Sequence, residues 1–183
     1  MREGEVVRVF EAKDGRKVIL RAPRWGDLDD MVVFINSLVD EGAEISRDHK
    51  VSRGEEVDYL ARYLSAVEKD SKVGVVAEVD GHFVGQVEVD AKSGRSRHVG
   101  VLGIGLRDGY RDVGIGTELM LEAERQARRL GMKILQLEVY STNSRARHVY
   151  QKTGYIEAGT LRNDIIKDGM YVDSIVMRKE ISG

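Results

Sequence analysis

Apolar and polar residues alternate in several parts of the chain, and this period of two predicts β-strands. The clearest case is residues 72–92, where valines and an alanine alternate from Val73 to Val79 before an Asp80-Gly81 pair. Asp-Gly between two alternating segments is typical of a tight hairpin turn. Two further hairpins are predicted, in residues 4–22 with a turn at Asp14-Gly15, and between strands 155–163 and 169–177 with a turn near Asp168-Gly169.

Four other segments place apolar residues three and four positions apart, which is the spacing of one face of an α-helix. The first, in residues 26–42, has Asp27 as its candidate N-cap, and the second begins at Ser52, which forms a capping-box pattern with Glu55. The third ends at Gly131 and the fourth at Gly154. The predicted inward-facing residues are Leu28, Met31, Val32 and Ile35; Val57, Leu60, Ala61 and Leu64; Ile115, Leu119, Ala123, Ala127 and Leu130; and Ala146, Val149, Tyr150 and Thr153.

Two strands flank the third helix, one in residues 97–106 that is apolar on both faces and one in residues 133–140. A strand-helix-strand unit is normally a right-handed crossover between parallel strands, whereas hairpins pair antiparallel. The chain has one proline, Pro23, and no low-complexity segment or repeat that marks a linker. The pattern therefore predicts one α/β domain over residues 1–183 with a mixed sheet.

Composition narrows the classes of function. With 42% hydrophobic and 33% charged residues, the chain is expected to be globular, and its net charge of −2 argues against a nucleic-acid or membrane-surface partner. It has no cysteine, which excludes disulfides, thiolate metal sites and a cysteine nucleophile. The four histidines lack the spacing of a metal site, so we expect no metal. The charged N-terminal region has no signal-peptide core, and a cytoplasmic protein is predicted.

Arg111, Gly114 and Gly116 lie where the central strand is followed by the third helix. A helix start offers unpaired N–H groups and the positive end of the helix dipole, and glycines let a phosphate approach the backbone. Two phosphate-binding motifs do not fit. A P-loop would need lysine at Ile115, and a dinucleotide fingerprint would need glycine or alanine at Leu119.

The remaining pattern, Arg111-x-x-Gly114-x-Gly116, resembles the acyl-CoA loop of the GNAT superfamily of N-acetyltransferases, which reads Q/R-x-x-G-x-G/A. The chain departs from many members at Asp112 and Val113, where they carry a glycine and a basic residue. A second segment resembles another signature of the same superfamily, and together the two cover about residues 99–159. That second signature is carried by Leu137, Asn143, Ala146, Tyr150, Gly154 and Tyr155.

The resemblance implies a GNAT-like fold: a mixed, mostly antiparallel sheet with a central, splayed pair of parallel strands, flanked by about four helices. Residues 1–15 would add an extra N-terminal strand, and residues 99–159 would form the acetyl-CoA-binding core. Backbone amides and Arg111 would hold the pyrophosphate, with Asp112 toward solvent. The implied cofactor-binding residues are Ile104, Leu106, Arg111, Asp112, Val113, Gly114, Ile115, Gly116, Thr117, Asn143, Arg145 and Tyr150.

Two residues of the fourth helix have both a structural and a functional interpretation. Tyr150 is either a core residue or, as the resemblance implies, the group beside the CoA sulfur that donates a proton to the leaving thiolate. Asn143 is either a helix N-cap or a hydrogen-bond partner of CoA.

The sequence does not clearly identify the base that removes a proton from the acceptor amine. Only about one in a few thousand molecules of an alkyl amine is neutral at pH 7, so a base is expected. Glu88 alternates with two valines and either faces the cleft or pairs with a basic residue. Glu44 lies where the superfamily builds its acceptor site, and a water-relayed base is a further alternative. Tyr171 and Asp173 either line the acceptor pocket or belong to an amphipathic strand.

These features predict an acyltransferase that moves an acetyl group from acetyl-CoA directly to a primary amine, without a metal. The acceptor is a small-molecule amine or a peptide N-terminus, with the small molecule favoured. The alternative is a non-catalytic acyl-CoA-binding sensor or partner module. The resemblance also implies a homodimer through the terminal strands.

Overall fold

The computed structural model describes residues 1–182 and contains a single eight-stranded sheet in the order β1-β2-β3-β4-β5-β6-β8-β7. Neighbouring strands pair antiparallel except for β5 and β6, which are parallel. This is the predicted mixed α/β fold. In chain order the elements are β1 Val6–Glu11, β2 Lys17–Arg21, α1 Leu28–Asp40, α2 Arg53–Glu68, β3 Lys72–Val79, β4 His82–Ala91, β5 Val99–Leu106, α3 Ile115–Arg129, β6 Ile134–Tyr140, α4 Ser144–Lys152, β7 Ile156–Lys167 and β8 Met170–Glu180.

All three predicted hairpins are present. Between β3 and β4, and again between β7 and β8, the connection is the two-residue Asp-Gly pair, and both residues have positive φ. That conformation matches the twist of the two strands, and aspartate and glycine tolerate it well. The strands β7 and β8 are longer than predicted, because the pairing continues to the Asp168-Gly169 turn.

The central part of the sheet is covered on both faces, and its strands alternate between two cores, whereas β7 is mostly exposed. Val75 and Val87 belong to the core under α3, whereas the neighbouring Val76 belongs to the core under α1 and α2. Residues of α3 that point to the sheet are fully buried, as predicted for Leu119 and Ala123. Glycines occur where the packing is closest: a Cβ on Gly74 would lie 2.5 Å from the Tyr63 ring.

At the helices on the α1–α2 face, the capping box was confirmed, the Asp27 N-cap was confirmed in position only, and the predicted inner face of α2 was partly wrong. Ser52 and Glu55 form the predicted capping box, with Ser52 N donating to Glu55 Oε2 at 2.8 Å. Asp27 occupies the N-cap position of α1, but its carboxylate makes no capping hydrogen bond to this helix within residues 1–182, because it is buried and binds Arg21 instead. In α2 the buried stripe includes Tyr63 and Val67 but leaves Ala61 exposed.

The parallel strands β5 and β6 pair at only three positions, the last being Val101 with Gln136. Beyond that point β5 remains paired with β4 as far as Leu106, and β6 remains paired with β8 as far as Tyr140. The two strands therefore splay apart toward their carboxyl ends, as predicted. β5 is a central strand, as its apolar residues on both faces predicted, although Val101 is 37% exposed and Gly103 is also exposed beside the gap.

Candidate active site

The loop between β5 and α3 presents an array of unpaired backbone donors. Gly114 has a φ of 96° at the N-cap of α3, and Asp112 has a φ of 64°. None of the backbone N–H groups of residues 111–117 donates a hydrogen bond within the described part of the chain. A cluster of free N–H groups at the positive end of a helix dipole is suited to bind an anion.

Arg111 is already bound on two sides. Its Nε donates to the Leu106 carbonyl at 2.9 Å, and its Nη2 pairs with Glu41 at the end of α1. These contacts tie the anion-binding loop to the α1 side of the sheet. The predicted contact of Arg111 with a pyrophosphate stays a prediction.

Asp112, the departure from the resembled motif, is exposed and lies at the edge of the loop. Its carboxylate pairs with Arg145 of α4 at 3.3 Å. This ion pair brings the predicted cofactor residue Arg145 next to the loop. Because the carboxylate has a cationic partner, its charge is partly offset where an anion would bind.

The gap between β5 and β6 exposes backbone groups along β5. Successive residues of a strand direct their N–H and C=O groups to alternate sides, so within residues 1–182 the groups of Leu102–Leu106 that face β6 have no strand partner, although the Leu106 carbonyl accepts from Arg111. The side chains of Ile104 and Leu106 pack against the α3 core. This segment is therefore able to pair with an extended ligand, and the predicted cofactor contacts of Ile104 and Leu106 stay predictions.

At the start of α4, Asn143 acts as the predicted N-cap, and its Oδ1 accepts a hydrogen bond from Ala146 N at 3.0 Å. The cap uses only the side-chain oxygen, so the amide nitrogen is left to donate. The predicted contact of Asn143 with CoA stays a prediction.

Tyr150, also on α4, is mostly buried and packs at a tilt against Tyr155, with 6.3 Å between the ring centroids. Its hydroxyl makes no hydrogen bond with residues 1–182, and its oxygen is not fully enclosed. Burial raises the pKa of the Tyr150 hydroxyl to about 12. The group is therefore protonated at neutral pH and has a proton to donate.

Glu88 lies on β4 directly opposite Gly103 of β5, on the α1–α2 face. Its carboxylate accepts hydrogen bonds from Tyr59 and, at 2.7 Å, from Gln86, and it pairs with Lys72. Burial disfavours the charge on Lys72, but the carboxylates of Glu88 and Asp90 outweigh burial and raise the pKa of Lys72. The predicted alternative for Glu88, pairing with a basic side chain, is therefore present, while its catalytic role stays a prediction.

The α1–α2 loop closes over the end of β6. Glu44 accepts a hydrogen bond from Thr142 and lies 3.6 Å from Lys167, and the Tyr140 hydroxyl donates to the Ile45 carbonyl at 2.7 Å. These contacts place Glu44 beside the connection from β6 to α4. Its predicted roles as base or acceptor-binding residue stay predictions.

Tyr171 and Asp173 lie on β8 near the β7–β8 turn. Tyr171 is 70% exposed, and Asp173 Oδ1 accepts a hydrogen bond from Asn163 N at 2.9 Å, where the β7–β8 register is irregular. Part of the Asp173 side chain is thus used to hold the hairpin. Acceptor binding by either residue stays a prediction.

Glu138 was missed by the sequence interpretation. It lies on β6 two residues beyond the last pair with β5, and it alternates with the core residues Leu137 and Val139. Its side chain therefore points to the same face as Glu88, and it is exposed, with no hydrogen bond or ion pair to residues 1–182. A Cβ on Gly103 would meet nothing within 4 Å, so there is open space on this face beside the gap. The alternation of apolar and polar residues in residues 133–140 could have identified it, because this alternation places the Glu138 carboxylate on the polar face of the strand.

Within residues 1–182, no group of three or more acidic or histidine side chains could hold a metal ion. None of the helices there is both long enough and apolar enough to cross a membrane.

Comparison with known proteins supports the resemblance described from the sequence motifs. The profile of the acetyltransferase (GNAT) family matches residues 39–155, which contain the loop, the splayed strands and α4. The chain is 31% identical over 107 residues to the L-amino acid N-acetyltransferase AaaT of Escherichia coli K12, a match that covers 57% of this chain and 66% of that protein. The matched region is thus slightly under two thirds of AaaT.

Solved structures share the fold over nearly the whole chain. A GNAT-family acetyltransferase from Streptococcus pneumoniae is 26% identical, with a TM-score of 0.80 over 90% of this chain and 99% of that one. The acetyltransferase yncA from Salmonella typhimurium, solved with acetyl-CoA, is 19% identical, with a TM-score of 0.80 over 91% of this chain and 95% of that one. The latter similarity supports the fold alone.

Proposed function

The chain belongs to the acetyltransferase (GNAT) family, and we propose on this basis that it transfers the acetyl group of acetyl-CoA directly to a primary amine. The observation that supports the proposal most strongly is the combination of the unpaired N–H array at residues 111–117 with the adjacent gap between β5 and β6. The first is suited to an anionic pyrophosphate and the second to an extended pantetheine arm.

Acetyl-CoA supplies an activated acetyl thioester whose sulfur leaves as a thiolate. The residues that hold it are the loop from Arg111 to Thr117, the free edge of β5 at Ile104 and Leu106, and the α4 residues Asn143 and Tyr150. Backbone N–H groups of β5 that face the gap polarise the thioester carbonyl. The Tyr150 hydroxyl, which is protonated at neutral pH, donates a proton to the leaving sulfur.

The amine must lose a proton before it attacks, and Glu138 is the carboxylate that best fits this role. Its oxygens have no partner within residues 1–182, and it borders the open space beside Gly103. Both carboxylate oxygens of Glu88, and Oε1 of Glu44, already contact other side chains. Glu138 accepts the proton directly or through one water molecule.

Replacing Glu138 by glutamine is expected to lower kcat/KM for the amine by about 100-fold, the lower end of the range for general base catalysis. Glu11→Gln, on the edge strand β1, is the matched control and should leave kcat/KM within about twofold. Steady-state rates at saturating acetyl-CoA measure the effect. If Glu88→Gln loses activity and Glu138→Gln does not, the base is Glu88.

The site is consistent with an amine acceptor but does not identify which kind of amine it is. AaaT acts on L-amino acids by its name, so we propose a small-molecule amine in preference to a peptide N-terminus. A panel of amino acids, polyamines and short peptides, followed by CoA thiol release, distinguishes them. Release that requires only peptides would overturn the preference.

Direct attack is tested by the kinetic pattern. When acetyl-CoA and the best amine are varied together, direct transfer predicts intersecting double-reciprocal lines, since both substrates must be bound at once. Parallel lines, with an acetylated protein detected by mass spectrometry, would show a covalent enzyme intermediate instead.

A further inference from the structure

Three arginines beside the anion-binding loop are already paired with carboxylates of the protein, whereas Arg107, at the start of the loop, has no ion pair within residues 1–182. This matters because a pyrophosphate diester carries one negative charge on the oxygens of each phosphate group, and free N–H groups provide only partial positive charges in return. The pairs are Arg16 with Asp14, Arg111 with Glu41, and Arg145 with Asp112. A side-chain cation that is not paired with a carboxylate would therefore strengthen pyrophosphate binding at the loop.

The turn between β1 and β2 lies against this loop and is fixed to it at two points. Lys13 N donates to the Val113 carbonyl at 3.0 Å, and Arg16 Nη2 donates to the Gly109 carbonyl at 2.7 Å. The Arg16 guanidinium also lies over the Tyr110 ring, 4.4 Å from its centroid. The N-terminal hairpin is thus part of the loop's surroundings, although it is about 100 residues distant in sequence.

Within this turn, the side chain of Lys13 extends across the start of α3. Its Cγ and Cε each lie 4.0 Å from the position that a Cβ on Gly114 would occupy. Nζ is one bond beyond Cε, so the ammonium lies next to the N-cap of α3. Lys13 is exposed and makes no side-chain hydrogen bond or ion pair to residues 1–182.

We propose that Lys13 binds the pyrophosphate of acetyl-CoA and supplies the full positive charge that the paired arginines of the loop do not. The proposal rests on the proposed cofactor site at residues 111–117. It assigns a binding role to the β1–β2 turn, which lies outside both signature segments. An ammonium and a phosphate make a charge-assisted hydrogen bond, which is stronger than one between neutral groups.

The test compares acetyl-CoA affinity, measured by calorimetry, in the wild type, Lys13→Ala, Lys13→Arg and Lys17→Ala. The alanine variant keeps the backbone bond to Val113, since that bond uses the amide of residue 13 whatever its side chain. Lys17, on the same hairpin, is the matched charge control. We expect Lys13→Ala to raise Kd about tenfold, while Lys13→Arg and Lys17→Ala stay within about threefold of the wild type.

Dephospho-CoA, which retains the pyrophosphate but lacks the 3′-phosphate, identifies the phosphate concerned. The tenfold loss of affinity in Lys13→Ala should persist with dephospho-CoA, and it should become smaller as ionic strength rises. If the loss disappears with dephospho-CoA, Lys13 binds the 3′-phosphate and the proposal is overturned, as it is if Lys13→Ala binds acetyl-CoA like the wild type. Failure of the wild type to bind acetyl-CoA would instead overturn the proposed function itself.

Discussion

Replacing Tyr150 by phenylalanine is expected to lower kcat about 100-fold and to leave the Kd for acetyl-CoA nearly unchanged. The hydroxyl has no hydrogen-bond partner within residues 1–182, and burial raises its pKa to about 12, so at neutral pH it carries a proton that it can donate. Without it, the thiolate must leave unprotonated, and loss of a general acid typically costs 10²- to 10⁴-fold in rate. Stopped-flow or steady-state thiol release measures kcat, and calorimetry measures Kd.

Tyr155→Phe is the matched control for this substitution. Tyr155 is adjacent to Tyr150, and its hydroxyl is fully buried and has no partner among residues 1–182. Removing it should leave kcat within about twofold. Because the Tyr150 pKa is about 12, the wild-type rate should also show no loss attributable to this group below about pH 10. Equal kcat values for Tyr150→Phe and the wild type would show that Tyr150 is only a core residue.

Replacing Asp27 by alanine is expected to lower the free energy of unfolding by about 3–5 kcal/mol. Arg21 is only 1% exposed, and Asp27 binds it with two hydrogen bonds of 2.6 and 2.8 Å. Glu78 remains at 2.6 Å on the other side of the guanidinium, but the loss of Asp27 leaves two buried N–H groups short of an acceptor. Urea unfolding followed by circular dichroism measures the change.

Asp29→Ala provides the comparison, because Asp29 forms an exposed ion pair with Arg53 and exposed pairs contribute little. It should change the free energy of unfolding by less than about 0.5 kcal/mol. A second variant, Arg21→Met with Asp27→Leu, removes both charges and should recover much of the loss. If Asp27→Ala is no less stable than Asp29→Ala, the buried charges do not depend on each other as described.

Local patterns were sufficient to predict most of the fold. Alternation and Asp-Gly pairs located the hairpins, and the capping box at Ser52 located the start of α2, because these signals act between residues close in sequence. The parallel pairing of β5 and β6 was expected from the strand-helix-strand pattern, whereas their splaying was expected only from the resemblance. Residue types alone do not determine where pairing between β5 and β6 stops.

Side-chain pairing between distant residues was not predictable in the same way. Asp27 has the sequence features of an N-cap, but Arg21 and Arg24 compete for its carboxylate once β2 and α1 are packed together. Likewise, nothing near Arg111 in sequence points to Glu41, and nothing near Lys13 points to Gly114. Such partners are set by the tertiary fold, so the sequence alone identified the loop but not the charges that surround it.

The most direct test of the central claim is the stoichiometry of acetyl transfer in one reaction. Purified protein is incubated with acetyl-CoA and each amine of the panel, and free CoA thiol and acetylated amine are both quantified. Acetyltransferase activity predicts equal amounts of the two products, with release that requires the amine and falls in Tyr150→Phe. Calorimetric binding of acetyl-CoA without acetylated product from any acceptor would contradict catalysis and favour a protein that only binds the cofactor.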